Sequence, residues 1–246
     1  MIEDECSVKT RALVKNLLYV LLIQLAFEIT FINILNLFNI SSSLPTLVID
    51  KVLFLGLLFF LNNKFTKKRI PFSIKLSINE RKCVFLIFLI LAILGLTNIQ
   101  NFLDAFIIGL IACTTEEYLM RGIVLISLLR IFQNSKNNYL RILLPIAFSS
   151  ILFGLDHFIN LYSQNFIMTF AQVIATTATG FVLASIFLRT RNLLYPMLCH
   201  FGLDFLIVIT KGMPQDTNVS LVSVLLPSAF YLFISFVILV PILIKK

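Results

Sequence analysis

The sequence predicts an all-α, polytopic transmembrane bundle of about eight spans, and its composition and loop charges lead to that prediction. Of the 246 residues, 59% are hydrophobic and 13% are charged, against ~25% charged residues in an ordinary soluble domain. The mean hydropathy is +0.99. A soluble globule of this size could not cover so much apolar surface. We therefore expect a single integral membrane domain over 1–246.

Eight apolar runs approach or exceed the ~20 residues that a bilayer crossing needs. The first is longer than the apolar region of a signal peptide and is followed by no small-residue cleavage site, so we expect a retained span. The count falls to seven or six if the second run is only interfacial or if the third and fourth form a re-entrant pair. The eight runs are 13–38, 44–62, 83–99, 103–130, 142–160, 166–188, 193–210 and 219–243.

Basic residues are concentrated in the N-terminal segment, in every second loop and in the C-terminal tail, which by the positive-inside rule predicts that both termini are cytoplasmic. The loops between them carry little net charge, since Lys211 is balanced by Asp216. The net charge of +8 thus follows the pattern of membrane-flanking anchors in a multi-pass cell-membrane protein, and no nucleic-acid partner is expected. These basic residues are Lys9, Arg11, Lys15, Lys64, Lys67, Lys68, Arg69, Lys75, Arg81, Lys82, Arg130, Lys136, Arg141, Arg189, Arg191, Lys245 and Lys246.

Several ionisable residues fall inside the apolar runs, where each costs a few kcal/mol unless it is paired or solvated. We expect Gln24 and Glu28 to bond to neighbouring helices, with a supporting role of Glu28 near a site as the alternative, and Asp50 and Lys51 to neutralise each other at the outer interface. The complete set of intramembrane ionisable residues is Glu28, Asp50, Lys51, Glu116, Glu117, Arg121, Asp156, His157, His200 and Asp204.

The fourth run contains two adjacent glutamates near its middle. Glu117 and Arg121 are four residues apart, the spacing of a helical ion pair. Glu116 projects ~100° away from Glu117 and has no partner on its own helix. We predict that Glu117 is structural and that Glu116 is free for chemistry; the alternative is that both pair with neighbouring helices.

The only two histidines, His157 and His200, also lie within predicted spans. If the fifth helix begins near Pro145, a favoured first-turn position, His157 lies ~18 Å along it, close to the depth of Glu116. We adopt that start rather than one at Arg141. The histidines and Glu116 are therefore predicted to share one site.

Three motifs with this order and spacing resemble those of the CPBP family, which comprises CAAX-type endopeptidases, bacteriocin-processing enzymes and related intramembrane proteases. The resemblance covers roughly 100–210, the predicted catalytic core. The motifs are Glu116-Glu117 with Arg121, Phe153 with His157, and His200 with Asp204.

The resemblance implies an endopeptidase that cuts a peptide or small-protein substrate in or beside the bilayer. Glu116 would activate the attacking water with help from His157. His200 and Asp204 would stabilise the oxyanion or hold a metal. Peptide hydrolysis needs such a base and such a stabilising site. Glu117, Arg121 and Phe153 would support the site.

A divalent metal, most plausibly zinc, is the favoured cofactor. Glu116, His157 and His200 could supply three ligands and leave one position for water. An ionised Asp204 cannot donate a hydrogen bond to an oxyanion, and it is better suited to orienting His200 or completing a cation site. The His-Glu-x-x-His zinc helix is absent, so a metal-free, glutamate-based protease is the alternative.

Three other functions compete with the metalloprotease hypothesis. A cysteine protease using Cys199 or Cys113 is disfavoured, because Cys199 and His200 are adjacent and do not share a helix face. A proton-coupled transporter is disfavoured because no related halves are visible. A non-catalytic immunity or regulatory partner of a peptide-export or signalling system stays open, as do the substrate and the oligomeric state.

Overall fold

The computed structural model describes residues 2–40, 43–212 and 219–244, with the side chains of 2–9 and 138 left out. It is 86% helix and shows no strand within those ranges, so the all-α prediction is confirmed. Some residues of the sequence patterns lie outside the described side chains: Cys6, Lys9, Asp216, Lys245 and Lys246.

Nine α-helices follow one another in the described ranges. Two π-helical turns and two 3₁₀ turns extend or connect them. The α-helices are α1 (Ile2–Leu37), α2 (Leu44–Leu61), α3 (Ile78–Thr97), α4 (Phe102–Glu117), α5 (Ile126–Ile131), α6 (Asn138–Asp156), α7 (Phe166–Thr190), α8 (Leu194–Lys211) and α9 (Leu221–Ile244). The π-helical turns are Asn62–Thr66 and Tyr118–Leu125, and the 3₁₀ turns are Ile99–Asn101 and His157–Tyr162.

Six of these helices are long and apolar enough to cross a membrane, near the eight spans predicted. The third and fourth predicted runs form a pair bent by 116°, Ile78–Thr97 and Ile99–Ile131, which raises the count to seven if it is one broken span. Charged residues interrupt both arms: α3 begins with Glu80, Arg81 and Lys82, and the second arm carries Glu116, Glu117 and Arg121.

Both arms of the bent pair extend along α8. At the start of α3 the Tyr195 hydroxyl of α8 donates to Glu80. At the other end, Asn98 Nδ2 donates to the carbonyl of Ile209 at 3.0 Å. The second arm begins beside the same end of α8, where the Phe102 and Phe205 rings make an edge contact at 5.8 Å. The pair is thus a hairpin whose arms run between the same two ends of the bundle.

The basic loops meet at one end of the molecule, which we call the basic end (11–16, 62–77, 130–137 and 189–195). Asn16 Nδ2 donates to the carbonyl of Phe65 at 3.0 Å. The amide of Leu193 donates to the carbonyl of Pro71 at 2.8 Å. The opposite end holds 98–101, 160–165 and 209–212, and we call it the uncharged end because Lys211 is the one charged residue in these three ranges. The alternation of charge along the sequence therefore becomes a separation of charge in space.

The start of α6 differs from the prediction. Asn137 accepts hydrogen bonds from the amides of Tyr139 and Leu140 through its side chain, which caps the helix, so α6 begins at Asn138 and Pro145 lies inside it. His157 follows the last residue of α6, about 28 Å from its start. It therefore lies toward the uncharged end, and the predicted start near Pro145 is wrong.

A buried apolar cluster, which we call the central cluster, fills the half of the bundle near the basic end. It joins the first half of α1 and the second half of α2 to the residues that follow Glu117. Its burial stabilises the packing of these helices around the segment that carries Glu116 and Glu117. The members on these segments are Leu17, Val20, Phe54, Leu58, Leu61, Leu119, Met120, Ile123, Val124 and Leu128.

Candidate active site

The two adjacent glutamates lie at the junction between α4 and a π-helical turn. α4 ends at Glu117, and Tyr118–Leu125 carries the helix on into α5. Such π-helical insertions are often found at functional sites. Within this turn Gly122 lies against Ile70, and a Cβ atom at Gly122 would come within 2.8 Å of Ile70 Cδ1. The sequence analysis missed the π-helical turn, for which hydropathy carries no signal.

Glu117 forms a fully buried ion pair, as its spacing predicted. Its Oε1 atom accepts a hydrogen bond from Arg121 Nη1 at 2.9 Å, and both side chains are at most 1% exposed. Arg121 Nη2 also donates to the carbonyl of Gly180 on α7, at 3.2 Å. A buried charge is tolerated only when it is paired and hydrogen-bonded in this way. Glu117 and Arg121 therefore anchor α4 to α7.

Phe153 lies at the centre of the predicted residues. The Arg121 guanidinium carbon is 4.5 Å from the centroid of its ring, within cation–π range. The rings of His157 and His200 both contact it in edge orientations, with centroids at 5.2 and 5.8 Å. Phe153 therefore contacts both histidine rings and helps to hold their orientation.

His200 is surrounded by three carboxylates from α4 and α8. Its Nδ1 atom is 2.8 Å from Glu117 Oε1, and since a carboxylate can only accept, Nδ1 is the donor. Its Nε2 atom faces Asp204 Oδ2 at 3.3 Å and Glu116 Oε2 at 3.8 Å. Glu117 and Asp204 thus fix the plane of the ring and direct Nε2 toward Glu116.

Glu116 lines a cavity of about 320 Å³, and its side chain keeps 22% of its exposure. His157 lines the same cavity, and its Nδ1 atom lies 2.9 Å from the carbonyl of Phe153. If Nδ1 donates this hydrogen bond, Nε2 is left to accept one from water. Polar side chains form part of the cavity wall, and the cavity is large enough for several water molecules. A carboxylate and an imidazole therefore both border the space where water could react.

The predicted zinc ligands do not come together as a three-ligand set. Within the described ranges, no group of three or more His, Cys, Asp or Glu side chains is placed so that it could hold a metal ion. Glu116 and His200 approach each other, whereas the Nδ1 atom of His157 bonds to the carbonyl of Phe153. The residues as arranged do not fit zinc, and no step below passes through a metal.

Polar residues of α1 and α2 reach the same cavity. Gln24 Nε2 donates to Asp156 Oδ1 at 2.9 Å, and Lys51 Nζ donates to Glu28 at 3.0 Å, so the predicted bonding of Gln24 and Glu28 to neighbouring helices is confirmed. Lys51 also lies 3.8 Å from Asp50, so Glu28 is the closer of its two carboxylate partners. The predicted pairing of Asp50 with Lys51 is therefore present, and both residues also face the cavity, which the sequence did not predict.

The protein is thus a helical membrane bundle with a buried glutamate–histidine cluster beside a cavity. Residues 97–206 match a family model described as Type II CAAX prenyl endopeptidase Rce1-like. The match places this segment in the CPBP group of CAAX-type proteases and confirms the resemblance found in the sequence. Neither a comparison with curated proteins nor one with solved structures gives a match.

Proposed function

We propose that the protein is an intramembrane endopeptidase in which Glu116 activates the attacking water. The observation that carries the proposal is the position of Glu116, which borders the cavity together with His157 and points toward His200 Nε2 at 3.8 Å. Its neighbour Glu117 is fully buried and already paired. Of the two glutamates, Glu116 is therefore the one that water can reach.

Hydrolysis can proceed with these side chains alone. Glu116 takes a proton from water while the oxygen attacks the peptide carbonyl, and His157 Nε2 accepts a second hydrogen bond from that water. With a proton on Nε2, His200 donates to the developing oxyanion. Glu116 then passes its proton to the leaving amine, so that one water is consumed and an acid and an amine are released. The low dielectric of the surroundings strengthens each of these interactions.

Asp204 supports this scheme as a positioning residue. Its carboxylate contacts His200 Nε2 at 3.3 Å and so competes with an oxyanion for the same proton. That position suits orientation of the ring better than direct stabilisation of negative charge, because a carboxylate only accepts hydrogen bonds. The Glu117–His200 contact provides the second point that holds the ring.

Comparative peptidomics of cells that carry wild type or Glu116→Gln tests the proposal. We expect uncleaved substrate to accumulate with the variant, because an amide cannot accept the proton of water. Asp104→Asn, the same chemical change at the first turn of α4, is the matched control and should process normally. A Glu116→Gln strain with an unchanged peptidome and phenotype would favour the non-catalytic partner. Loss of processing with Cys199→Ser would instead support a cysteine protease.

Metal analysis separates the two hydrolytic schemes. The family resemblance favours zinc, whereas the ligand arrangement favours the metal-free scheme. The purified protein is expected to be active in the presence of chelator and without stoichiometric metal. Chelator-sensitive activity with one zinc per chain would overturn the metal-free scheme and require His157 to move toward Glu116.

The substrate is proposed to be a peptide or small protein at the cell membrane. The family description names prenylated CAAX proteins, and bacteriocin or signalling precursors are the further classes that the resemblance implies. All three classes bring an apolar segment to the bilayer, where the site of this integral membrane protein lies. The peptidomic comparison above distinguishes them by the identity of the accumulated precursor.

A further inference from the structure

A second cavity, which we call the Lys68 cavity, has a volume of about 530 Å³ and lies at the basic end. We propose that it binds an anionic phospholipid, with the phosphate held by the Lys68 ammonium and the Tyr118 hydroxyl and an acyl chain along the apolar wall. This inference goes beyond the proposed function and does not depend on it.

The Lys68 cavity lies where lipid headgroups are expected. Its wall includes Lys68, which follows the span that ends at Thr66, and Leu193, in the turn before α8. By the positive-inside rule this end is cytoplasmic, and basic pockets between helices on that side bind anionic headgroups. The exposed neighbours Lys67 and Arg69 add positive charge that attracts such lipids.

Lys68 brings a buried cation to the wall. The residue is 5% exposed, and within the described ranges its Nζ atom is buried without a hydrogen-bond partner. Its pKa of about 8, lowered by burial and then by the nearby charge of Arg130, leaves it protonated at neutral pH. Among the described residues of the wall none is acidic. An anion is therefore the partner that this charge lacks, and the flexible four-carbon stem lets the ammonium turn toward it.

Asn62 fixes both Lys68 and a second donor. Its Oδ1 atom accepts from the Lys68 amide at 2.9 Å, and its Nδ2 atom donates to the Lys68 carbonyl at 3.0 Å. The same Nδ2 atom donates to the Tyr118 hydroxyl oxygen at 3.3 Å, so the hydroxyl keeps its own proton for an anion. The Phe59 ring contacts the Tyr118 ring edge-on at 4.6 Å and helps to hold it. One buried asparagine thus organises an ammonium and a hydroxyl on one wall.

An acyl chain fits the rest of this wall better than a peptide does. A peptide brings two backbone polar groups per residue, and each needs a partner away from water. The wall offers few, since the Thr114 hydroxyl already donates to the carbonyl of Leu110 at 2.8 Å. Phe59 is 47% exposed, so the apolar wall continues onto the lipid-facing surface of α2. Its apolar members are Leu55, Phe59, Ile70, Phe72, Leu193 and Met197.

The Lys68 cavity adjoins the candidate active site without including its reactive groups. Thr114 and Tyr118, on either side of the glutamate pair, line the cavity, whereas neither glutamate and neither histidine is among the described residues of its wall. Lipid binding can therefore be altered and measured while the groups that would perform hydrolysis stay intact.

Lipid binding by the delipidated full chain in detergent tests the proposal. Native mass spectrometry and thermal melting are recorded with dioleoyl phosphatidylglycerol, with zwitterionic dioleoyl phosphatidylcholine, and with inorganic phosphate. Lys68→Met removes the buried ammonium, and Tyr118→Phe removes only the hydroxyl. Lys67→Met, at an exposed residue outside the wall, removes the same charge and is the matched control.

We expect phosphatidylglycerol to raise the melting temperature of wild type by about 5 °C, and phosphatidylcholine and inorganic phosphate to raise it by less than about 1 °C. Lys68→Met should bind phosphatidylglycerol ~10-fold more weakly and lose the shift, and Tyr118→Phe should bind it ~3-fold more weakly. Lys67→Met should bind as wild type does. Lys68→Met removes an unpaired buried charge, so the variant is expected to fold and its lost binding is not a folding defect.

Three results would overturn the proposal. Equal weakening by Lys68→Met and Lys67→Met would assign the binding to surface charge. A shift with inorganic phosphate as large as that with the lipid would assign the cavity to a soluble anion. Lys68-dependent binding of a short apolar peptide with a free carboxyl terminus, tighter than that of the lipid, would assign it to a peptide. None of these readouts requires cleavage, so failure here leaves the processing test of Glu116→Gln unaffected.

Discussion

Glu116 and Glu117 are neighbours of the same chemical type, and their surroundings separate their roles. Glu117 is 0% exposed and shares Oε1 between Arg121 and His200. Glu116 keeps 22% exposure at the cavity. A single helix can place one carboxylate in the protein interior and the next in a water-accessible space because adjacent side chains project ~100° apart.

This contrast predicts opposite effects for the same substitution. Glu117→Gln should lower the free energy of unfolding by about 3–5 kcal/mol, because it leaves the buried guanidinium of Arg121 without its counter-charge. Glu116→Gln should abolish processing with little change in stability. Thermal melting in detergent, followed alongside processing, checks both; equal melting losses for the two variants would contradict the assignment of roles.

At Asp204 the expected result depends on the substituted group. Asp204→Ala removes the contact to His200 Nε2 and should slow cleavage ~10- to 100-fold, the usual effect of losing an orienting partner. Asp204→Asn keeps a polar side chain beside the ring and should retain most of the rate. Cleavage rates of the precursor found by peptidomics measure this. Equal rates for Asp204→Ala and wild type would remove Asp204 from the site.

The helices α6 and α7 pack closely against each other at Gly154. A Cβ atom there would contact Thr177 Oγ1 and lie 2.7 Å from the carbonyl of Val173. Small residues permit such close packing between membrane helices, where packing replaces the hydrophobic effect as the source of stability. Phe153 precedes this contact on α6, and His157 follows the end of the helix, so the close packing of the two helices also positions the site.

Gly154→Ala should therefore lower the melting temperature and reduce processing together, because α6 must move away from α7. Overpacking of this kind typically costs ~1–3 kcal/mol. Gly56→Ala on α2 is the matched control, since a Cβ atom at Gly56 meets nothing within 4 Å. A Gly154→Ala protein as stable as Gly56→Ala would show that the helices are not in close contact there.

The loop after α2 contains a lysine whose charge is poorly accommodated. Lys68 is 5% exposed, and the Asn62 side chain holds its backbone through bonds to both its amide and its carbonyl. Burial, followed by the nearby charge of Arg130, lowers the pKa of Lys68 to about 8 from 10.5. The folded state thus holds this proton less tightly than the unfolded chain does.

The sign of the pH dependence follows from this lowered pKa. The penalty is fully present below pH ~8 and disappears as the pH rises toward ~10.5, so the contribution of Lys68 to stability increases over that window. Lys68→Met should raise the melting temperature at pH 7, with a gain on the order of 1–3 kcal/mol that shrinks by pH 10. Lys67→Met, at the exposed neighbour, should show no such trend. A pH-independent gain would contradict a lowered pKa.

At the scale of the whole molecule, the fold separates basic from uncharged loops and bends one helical pair into a hairpin. The hairpin places both of its arms along α8, and the second arm brings Glu116 and Glu117 to His200. The central cluster packs α1 and α2 against the residues that follow Glu117.

Composition, loop charges and motif spacing were enough to predict the helical membrane class, the family resemblance and the Glu117–Arg121 pair. These features are local, because hydropathy is a sum over adjacent residues and an ion pair at four residues needs only one helix. The structure has six helices that could cross a membrane, or seven if the bent pair is one broken span, near the predicted eight. The difference arises at the hairpin, where charged residues interrupt the apolar sequence.

Only the tertiary structure decided the contacts between helices. The cap at Asn137 shifted the start of α6, and His157 moved with it toward the uncharged end. The carboxylates of Glu28, Asp50 and Asp156 became neighbours of Glu116 through the packing of α1, α2 and α6. A sequence carries each residue's charge and periodicity, but which helix faces which depends on the packing of all of them at once.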